Sequence, residues 1–250
     1  MAGLAERLAG LHAAIAEACA RAGRDPASVR LLAVSKLQPA AAVAEALAAG
    51  QLEFGENYAQ ELRDKDAELR DKDAELRGLA IAPSALAGLR WHFIGHLQRN
   101  KIHLVAGRVA LIHSIDSLEL IDALKARLGR GPDPGGQDVL IEVSLAGEQQ
   151  KAGCPPAEVP ALLDAIAASG GRVRCRGLMG MPPLSDEAEA SRPYFRRLRE
   201  LRDELARTPR PHVALDELSM GMSHDFAVAI AEGATLVRIG TALFGPRPAR

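Results

Sequence analysis

The sequence predicts an α/β protein: a single (β/α)8 TIM barrel with an extra N-terminal helix. Three observations carry this. Short apolar runs alternate with helical stretches about eight times along the chain. The chain has 250 residues, a common length for such a barrel. No linker divides it, because the flexible stretch GRGPDPGGQ (129–137) is short enough to be one loop. One domain over residues 1–250 is therefore expected. An open doubly wound sheet is the competing architecture, since it uses the same alternation.

The elements follow in order. Residues 1–23 read as an amphipathic helix closed by Gly23, with Glu6, Arg7 and Glu17 among alanines. The expected strands are VRLLAVS (29–35), LEFG (52–55), RWHFIG (90–95), VALIHSI (109–115), DVLIEVSL (138–145), RVRCRGLMG (172–180), LDELSMG (215–221) and TLVRIGTA (235–242). Helices are expected between them over 40–50, 57–77, 98–107, 117–129, 156–170, 186–208 and 224–234. A short turn at 243–245 closes the chain.

The helix over 57–77 contains a repeat: the heptad ELRDKDA stands at 61–67 and again at 68–74. A coiled-coil seam needs apolar residues at both a and d positions. Here Leu62 and Leu69 alternate with Asp66 and Asp73, so the repeat reads as a lengthened surface helix. Glu61 with Lys65, and Glu68 with Lys72, read as i,i+4 pairs on its solvated face.

Composition narrows the function classes. The net charge is -1 and aromatics make up 3% of residues, which suits neither nucleic acid nor an acidic membrane surface. Cys19, Cys154 and Cys175 form no CxxC pair, as in a reduced compartment. The N-terminal stretch lacks the unbroken apolar run of a signal peptide or membrane span. A cytoplasmic protein is expected.

Chemistry gathers at the strand ends. LSMGMSHDF and LVRIGTALFG would form the seventh and eighth loops of a barrel, where phosphate is often bound. Gly221 and Gly240 allow close approach of backbone to an anion, and Ser223 and Thr241 add hydroxyls. Ser223 also reads as the N-cap of a helix starting at His224. Lys36 stands just past the first strand. If it points inward with Leu32 and Val34, it occupies the C-terminal rim, where barrel active sites lie. Low-dielectric surroundings disfavour its charged form and favour a nucleophilic amine. The alternative is a lysine that snorkels to solvent. A lysine beside a phosphate cradle suits a phosphorylated aldehyde or ketone, either an aldolase-type sugar phosphate or pyridoxal 5′-phosphate (PLP). Arg238, inside the last strand, needs an acceptor: a cofactor ring nitrogen or a nearby carboxylate.

LLAVSK, FGENYAQE, WHFIGHLQRNK, IHSID, RGLMGM, LSMGMS and VRIGTALFG closely resemble the motifs of the pyridoxal phosphate homeostasis proteins. That family is related to the barrel domain of alanine racemase. The resemblance runs from about residue 10 to 245, with motifs matched in order and spacing. It implies a type III-like PLP fold with PLP held as a Schiff base on Lys36. It also implies Asn57 near the cofactor ring, Arg238 facing the pyridine nitrogen, and Ser223, Gly240 and Thr241 on the phosphate. Two features depart from it: Leu37-Gln38, where many relatives have Thr-Lys, and the duplicated heptad.

The resemblance implies intracellular PLP binding, buffering or delivery without catalysis. Its partners would be PLP and apo PLP-dependent enzymes, with no nucleic acid, membrane or metal. A monomer is expected, with a weak dimer as the alternative. Racemases of this fold class use a second base from another domain. Tyr58 is the only tyrosine placed to serve, and a structural role fits it better. A weak amino-acid racemase stays open as a second reading. His113 reads as pocket-lining or as a hydrogen-bonded core residue. His92 and His96 flank a strand end and do not form a helical zinc pair. Arg99 and Lys101 read as solvated charge or as a partner contact.

Overall fold

Eight parallel strands close into a barrel in the computed structural model, which describes residues 3–71, 81–129, 135–145 and 152–246. They are β1 (Arg30–Val34), β2 (Glu53–Glu56), β3 (Arg90–Phe93), β4 (Leu111–Ile115), β5 (Gln137–Val143), β6 (Val173–Gly180), β7 (Val213–Ser219) and β8 (Leu236–Ile239). Strand β1 closes the ring. Its Ala33 stands opposite Phe54 of β2, and its Leu32 opposite Arg238 of β8. Closure removes both sheet edges and excludes the open doubly wound alternative.

Alternation along the strands builds two cores. Leu31 and Ala33 of β1 belong to the large cluster between strands and helices. Leu32 turns the other way and packs against Gly55, where an added Cβ would meet it at 3.2 Å. Leu111, Leu140, Met179 and Leu236 form a separate buried cluster drawn from strands alone, the filling of the barrel.

The helices are α1 (Leu4–Arg21), α2 (Ala40–Ala48), α3 (Ala59–Leu69), α4 (Pro83–Gly88), α5 (Ile102–Val105), α6 (Leu118–Leu128), α7 (Val159–Ala167), α8 (Arg192–Ala206), α9 (Phe226–Ala231) and α10 (Thr241–Phe244). Helix α1 buries Leu4, Leu8, Leu11 and Ile15 on one stripe and packs against α2, α9 and α10. Arg7 Nε ties it to the Leu243 carbonyl at 2.6 Å.

Two differences from the sequence reading concern the second β/α connection. Residues 83–88 form a helix that the sequence reading treats only as a return loop. Pro83 presets φ at its first turn, and Ala-Leu-Ala favours its continuation. Helix α3 starts at Ala59, not at residue 57, and ends at Leu69; positions 72–74 of the second heptad, and with them the expected Glu68–Lys72 pair, lie outside the described residues. The first heptad is not a solvated face. Leu62 and Lys65, with Leu69 of the second copy, form the buried stripe of α3, and Asp66 accepts the Trp91 indole N–H at 2.8 Å.

Candidate functional site

One cavity of about 330 Å³ opens at the C-terminal ends of the strands. Lys36, Asn57, Ser223, Arg238, Gly240 and Thr241 all line it, although they come from four different strand ends. The fold thus brings these six residues to one cavity, while Gly221 of the same loop lies outside its lining.

Lys36 follows β1 in a tight turn, and the next residue, Leu37, has φ 62°. This left-handed conformation is costly for a branched side chain without support. The support comes from α3. Glu61 Oε1 accepts the Leu37 N–H at 2.5 Å, and Lys65 Nζ donates to the Ser35 carbonyl at 2.6 Å. Lys65 Nζ also reaches Glu61 and Glu56, each at 2.7 Å, with Glu56 fully buried. Burial pushes the Glu56 carboxyl up, while Lys65 and the Ser35 hydroxyl pull it back.

Asn57 is fixed by its neighbour strand. The Gly95 backbone lies so close that an added Cβ would stand 2.0 Å from the Asn57 carbonyl oxygen. The Asn57 Oδ1 is buried and has no partner among the described residues.

Arg238 is 5% exposed and is held by neutral acceptors. Nη1 donates to the Ser219 carbonyl at 2.6 Å and to Ser219 Oγ at 2.8 Å, and Nη2 donates to the Gly180 carbonyl at 3.2 Å. Burial pulls the guanidinium down to about 10, with Glu142 and Asp225 opposing the shift. Arg238 itself lines the cavity.

Ser223 lies in the cavity wall but is not a helix cap. Residues 223–225 form a turn, and Asp225 takes the cap position of α9. Asp225 is buried and tied on both sides: Oδ1 accepts the Met222 N–H at 2.6 Å, and Ser191 Oγ lies 3.0 Å from Oδ2. Gly221, at φ 91°, lets this loop press onto α9, since a Cβ there would meet Ala229 Cβ at 2.6 Å. On the other side of the cavity, α10 starts at Thr241, and its first N–H groups lack intrahelical acceptors.

Glu142, which the sequence reading passes over, also lines the cavity, as do His96 and His224, to which that reading assigns no part in the site. Glu142 had a legible signal: two residues after the interior Leu140, alternation turns it inward. Burial, then the neighbouring Asp116, push its carboxyl up to about 7, against the pull of Arg238.

The other candidates fall elsewhere. His113 is fully buried outside this cavity, with Nδ1 2.9 Å from Ser219 Oγ and Nε2 2.9 Å from His92 Nδ1. Tyr58 and Lys101 line a neighbouring cavity that shares Asn57 and His96 with the first. Tyr194 lies in the outer helix α8. Cys154 and Cys175 are buried, and desolvation raises each thiol to about 12. Among the described residues, no group of three or more His, Cys, Asp or Glu is placed to hold a metal ion.

Residues 8–248 match the family model "Alanine racemase, N-terminal domain". The pyridoxal phosphate homeostasis protein of Pseudomonas aeruginosa is 45% identical, covering 99% of this chain and 97% of its own. The human protein of the same name is 35% identical over 93% of this chain and 82% of its own. Among solved structures, PipY of Synechococcus elongatus PCC7942 with PLP bound superposes with a TM-score of 0.76. It is 39% identical and covers 97% of this chain and 100% of its own. Alanine racemase from Corynebacterium glutamicum, at 17% identity and a TM-score of 0.59, covers 93% of this chain and 62% of its own and shares the fold. The barrel, the rim lysine and these full-length matches agree: the chain belongs to the pyridoxal phosphate homeostasis protein family.

Proposed function

We propose that this protein binds PLP covalently through Lys36 and serves intracellular PLP homeostasis by holding, buffering or delivering it. The observation that carries the proposal is the shared cavity. A rim lysine, a buried arginine and the Ser223, Gly240 and Thr241 loops line one space. When bound, PLP supplies an aldehyde for the amine and an electron-withdrawing ring.

The cavity fits that group on its own features. The buried Asn57 Oδ1 offers an acceptor without a protein partner. A side chain at position 240 would crowd the Val34 carbonyl at 3.1 Å, so glycine keeps this wall clear. Ser223, Gly240 and Thr241 would hold the phosphate, and Arg238 would face the pyridine nitrogen. A fixed cation there disfavours protonation of that nitrogen, which weakens the ring as an electron sink. This favours a carrier over an efficient catalyst. The three cysteines are unpaired, which suits a reducing intracellular setting. Among the described residues, no helix is long and apolar enough to cross a membrane.

Absorbance of the purified protein with added PLP tests the proposal. A band near about 420 nm that borohydride removes, and that Lys36→Ala lacks, is the expected result. A protein that stays colourless with PLP refutes it. Mixing the loaded protein with an apo PLP-dependent enzyme tests delivery. Activity should recover faster than with an equal amount of free PLP.

Glu142 favours one second reading, a weak amino-acid racemase. It places a carboxyl that titrates near neutrality in the cavity with Lys36. Deuterium exchange at Cα of L-alanine at enzyme-like rates, lost in Glu142→Gln, would establish that activity.

A further inference from the structure

Lys36 is flanked by two peptide groups, and one ion pair from α3 fastens both. The Ser35 carbonyl before it accepts from Lys65 Nζ at 2.6 Å. The Leu37 N–H after it donates to Glu61 Oε1 at 2.5 Å. Glu61 and Lys65 contact each other at 2.7 Å, one helical turn apart. Glu56, at the end of β2, closes the group: its Oε1 takes Lys65 Nζ and the Ser35 hydroxyl, each at 2.7 Å. The turn held in this way is the one in which Leu37 adopts φ 62°. Such a conformation is strained for a non-glycine residue, so the turn needs outside bonds to persist.

We infer that Glu61 and Lys65 are positioning residues that hold the strained turn around Lys36, so that its amine is presented to the cavity. The inference rests on the reading of Lys36 as the PLP-bonding amine. It assigns a role to the first ELRDKDA heptad, whose Glu-Lys pair clamps the cofactor lysine from behind. A buried lysine between two carboxylates is a costly way to build a helix surface. Here its hydrogen bonds go to the backbone beside Lys36 and to the residues that steady it.

The test uses the full chain and the neutral pair Glu61→Gln/Lys65→Gln, which keeps polar side chains in place but removes both charges and shortens the reach of residue 65, so that the bonds to the turn weaken. Two ligands separate the effects. PLP reports the covalent bond through borohydride-fixed cofactor at Lys36. Pyridoxine 5′-phosphate, which lacks the aldehyde, reports the non-covalent site by equilibrium dialysis. The double variant should form the Lys36 bond about tenfold less favourably and bind pyridoxine 5′-phosphate within about threefold of the parent, since 1.4 kcal/mol is tenfold. Adding Leu37→Gly, which accepts the left-handed turn without strain, should restore most of the bond. Amide hydrogen exchange at Leu37 should quicken about tenfold in the double variant, a readout that needs no cofactor. Equal bond formation and equal Leu37 exchange in parent and variant overturn the clamp. Parallel losses of both ligands without rescue also overturn it, as they mark a purely structural role. If the parent itself forms no bond at Lys36 while Leu37 exchange still responds, the PLP reading has failed and the clamp on the turn has not.

Discussion

His92 Nδ1 lies 2.9 Å from His113 Nε2, and both rings are buried in the barrel. Arg238 donates to Ser219 Oγ, His113 Nδ1 faces that same oxygen at 2.9 Å, and a single proton is shared between His113 Nε2 and His92 Nδ1. This relay works only while both imidazoles are neutral. Burial, then the nearby Arg30 and Arg90, lower His92 to about 3, and His113 is driven well below its usual range.

Acid should therefore weaken the fold through this pair. The unfolded chain binds protons at about pH 6.5, whereas folded His92 resists them to about 3. The stability that neutral His92 contributes is present above pH 6.5 and is lost as pH falls toward 3, up to about 5 kcal/mol. Urea unfolding of the parent and His92→Gln at a series of pH values measures it. The acid slope should be shallower in the variant, and identical slopes would refute the assignment.

Glu142 works in the opposite sense. Its folded value of about 7 exceeds its usual 4.5, so the native state binds the extra proton between these limits. Stability falls as pH rises across that window, and by pH 7 and above the loss reaches about 3 kcal/mol. Glu142→Gln mimics the protonated form. Without PLP, the variant should match the parent near pH 4.5 and melt several degrees higher above pH 7. Equal melting points at pH 8 would mean that the carboxylate is better solvated than its burial indicates.

The N-terminal helix should behave as part of the barrel. Leu8 is 3% exposed and faces inward from α1. Leu8→Ala should cost about 2–4 kcal/mol in urea unfolding. Leu118, 46% exposed at the start of α6, should cost less than about 1 kcal/mol on the same change. Comparable effects at both sites would show that α1 is only loosely docked.

The barrel is legible in the sequence because its strands are short apolar runs separated by helices of regular length. The candidate cavity is legible for the same reason: Lys36 is a charge just past an apolar strand, Arg238 a charge inside one, and Ser223, Gly240 and Thr241 are turn residues at strand ends. Three features resist such reading. Helix α9 starts after Asp225 rather than after Ser223, and the Asp225 side chain makes no cap bond because the Met222 N–H and the Ser191 hydroxyl occupy it. The Glu61–Lys65 pair looks solvated in a repeat of charged residues, and only the contacts of α3 with the end of β2 and the turn after β1 show that Lys65 is buried. Leu37 gives no sign of a left-handed turn, since nothing in its side chain favours one.

Gly95 supplies the last prediction. An added Cβ there would lie 2.0 Å from the Asn57 carbonyl oxygen and 2.7 Å from its carbonyl carbon. Both are backbone atoms, so no side chain can swing aside, and β3 must part from the end of β2. Gly95→Ala should therefore cost about 1–3 kcal/mol or more by overpacking. Because Asn57 lines the cavity, the same shift should weaken PLP binding about tenfold or more. Gly50→Ala is the control: its φ of 95° strains an alanine, but no atom lies within 4 Å of the added Cβ. It should lose stability through the backbone alone while PLP affinity stays unchanged. If Gly95→Ala bound PLP as tightly as Gly50→Ala, the Asn57 wall would have no part in the site.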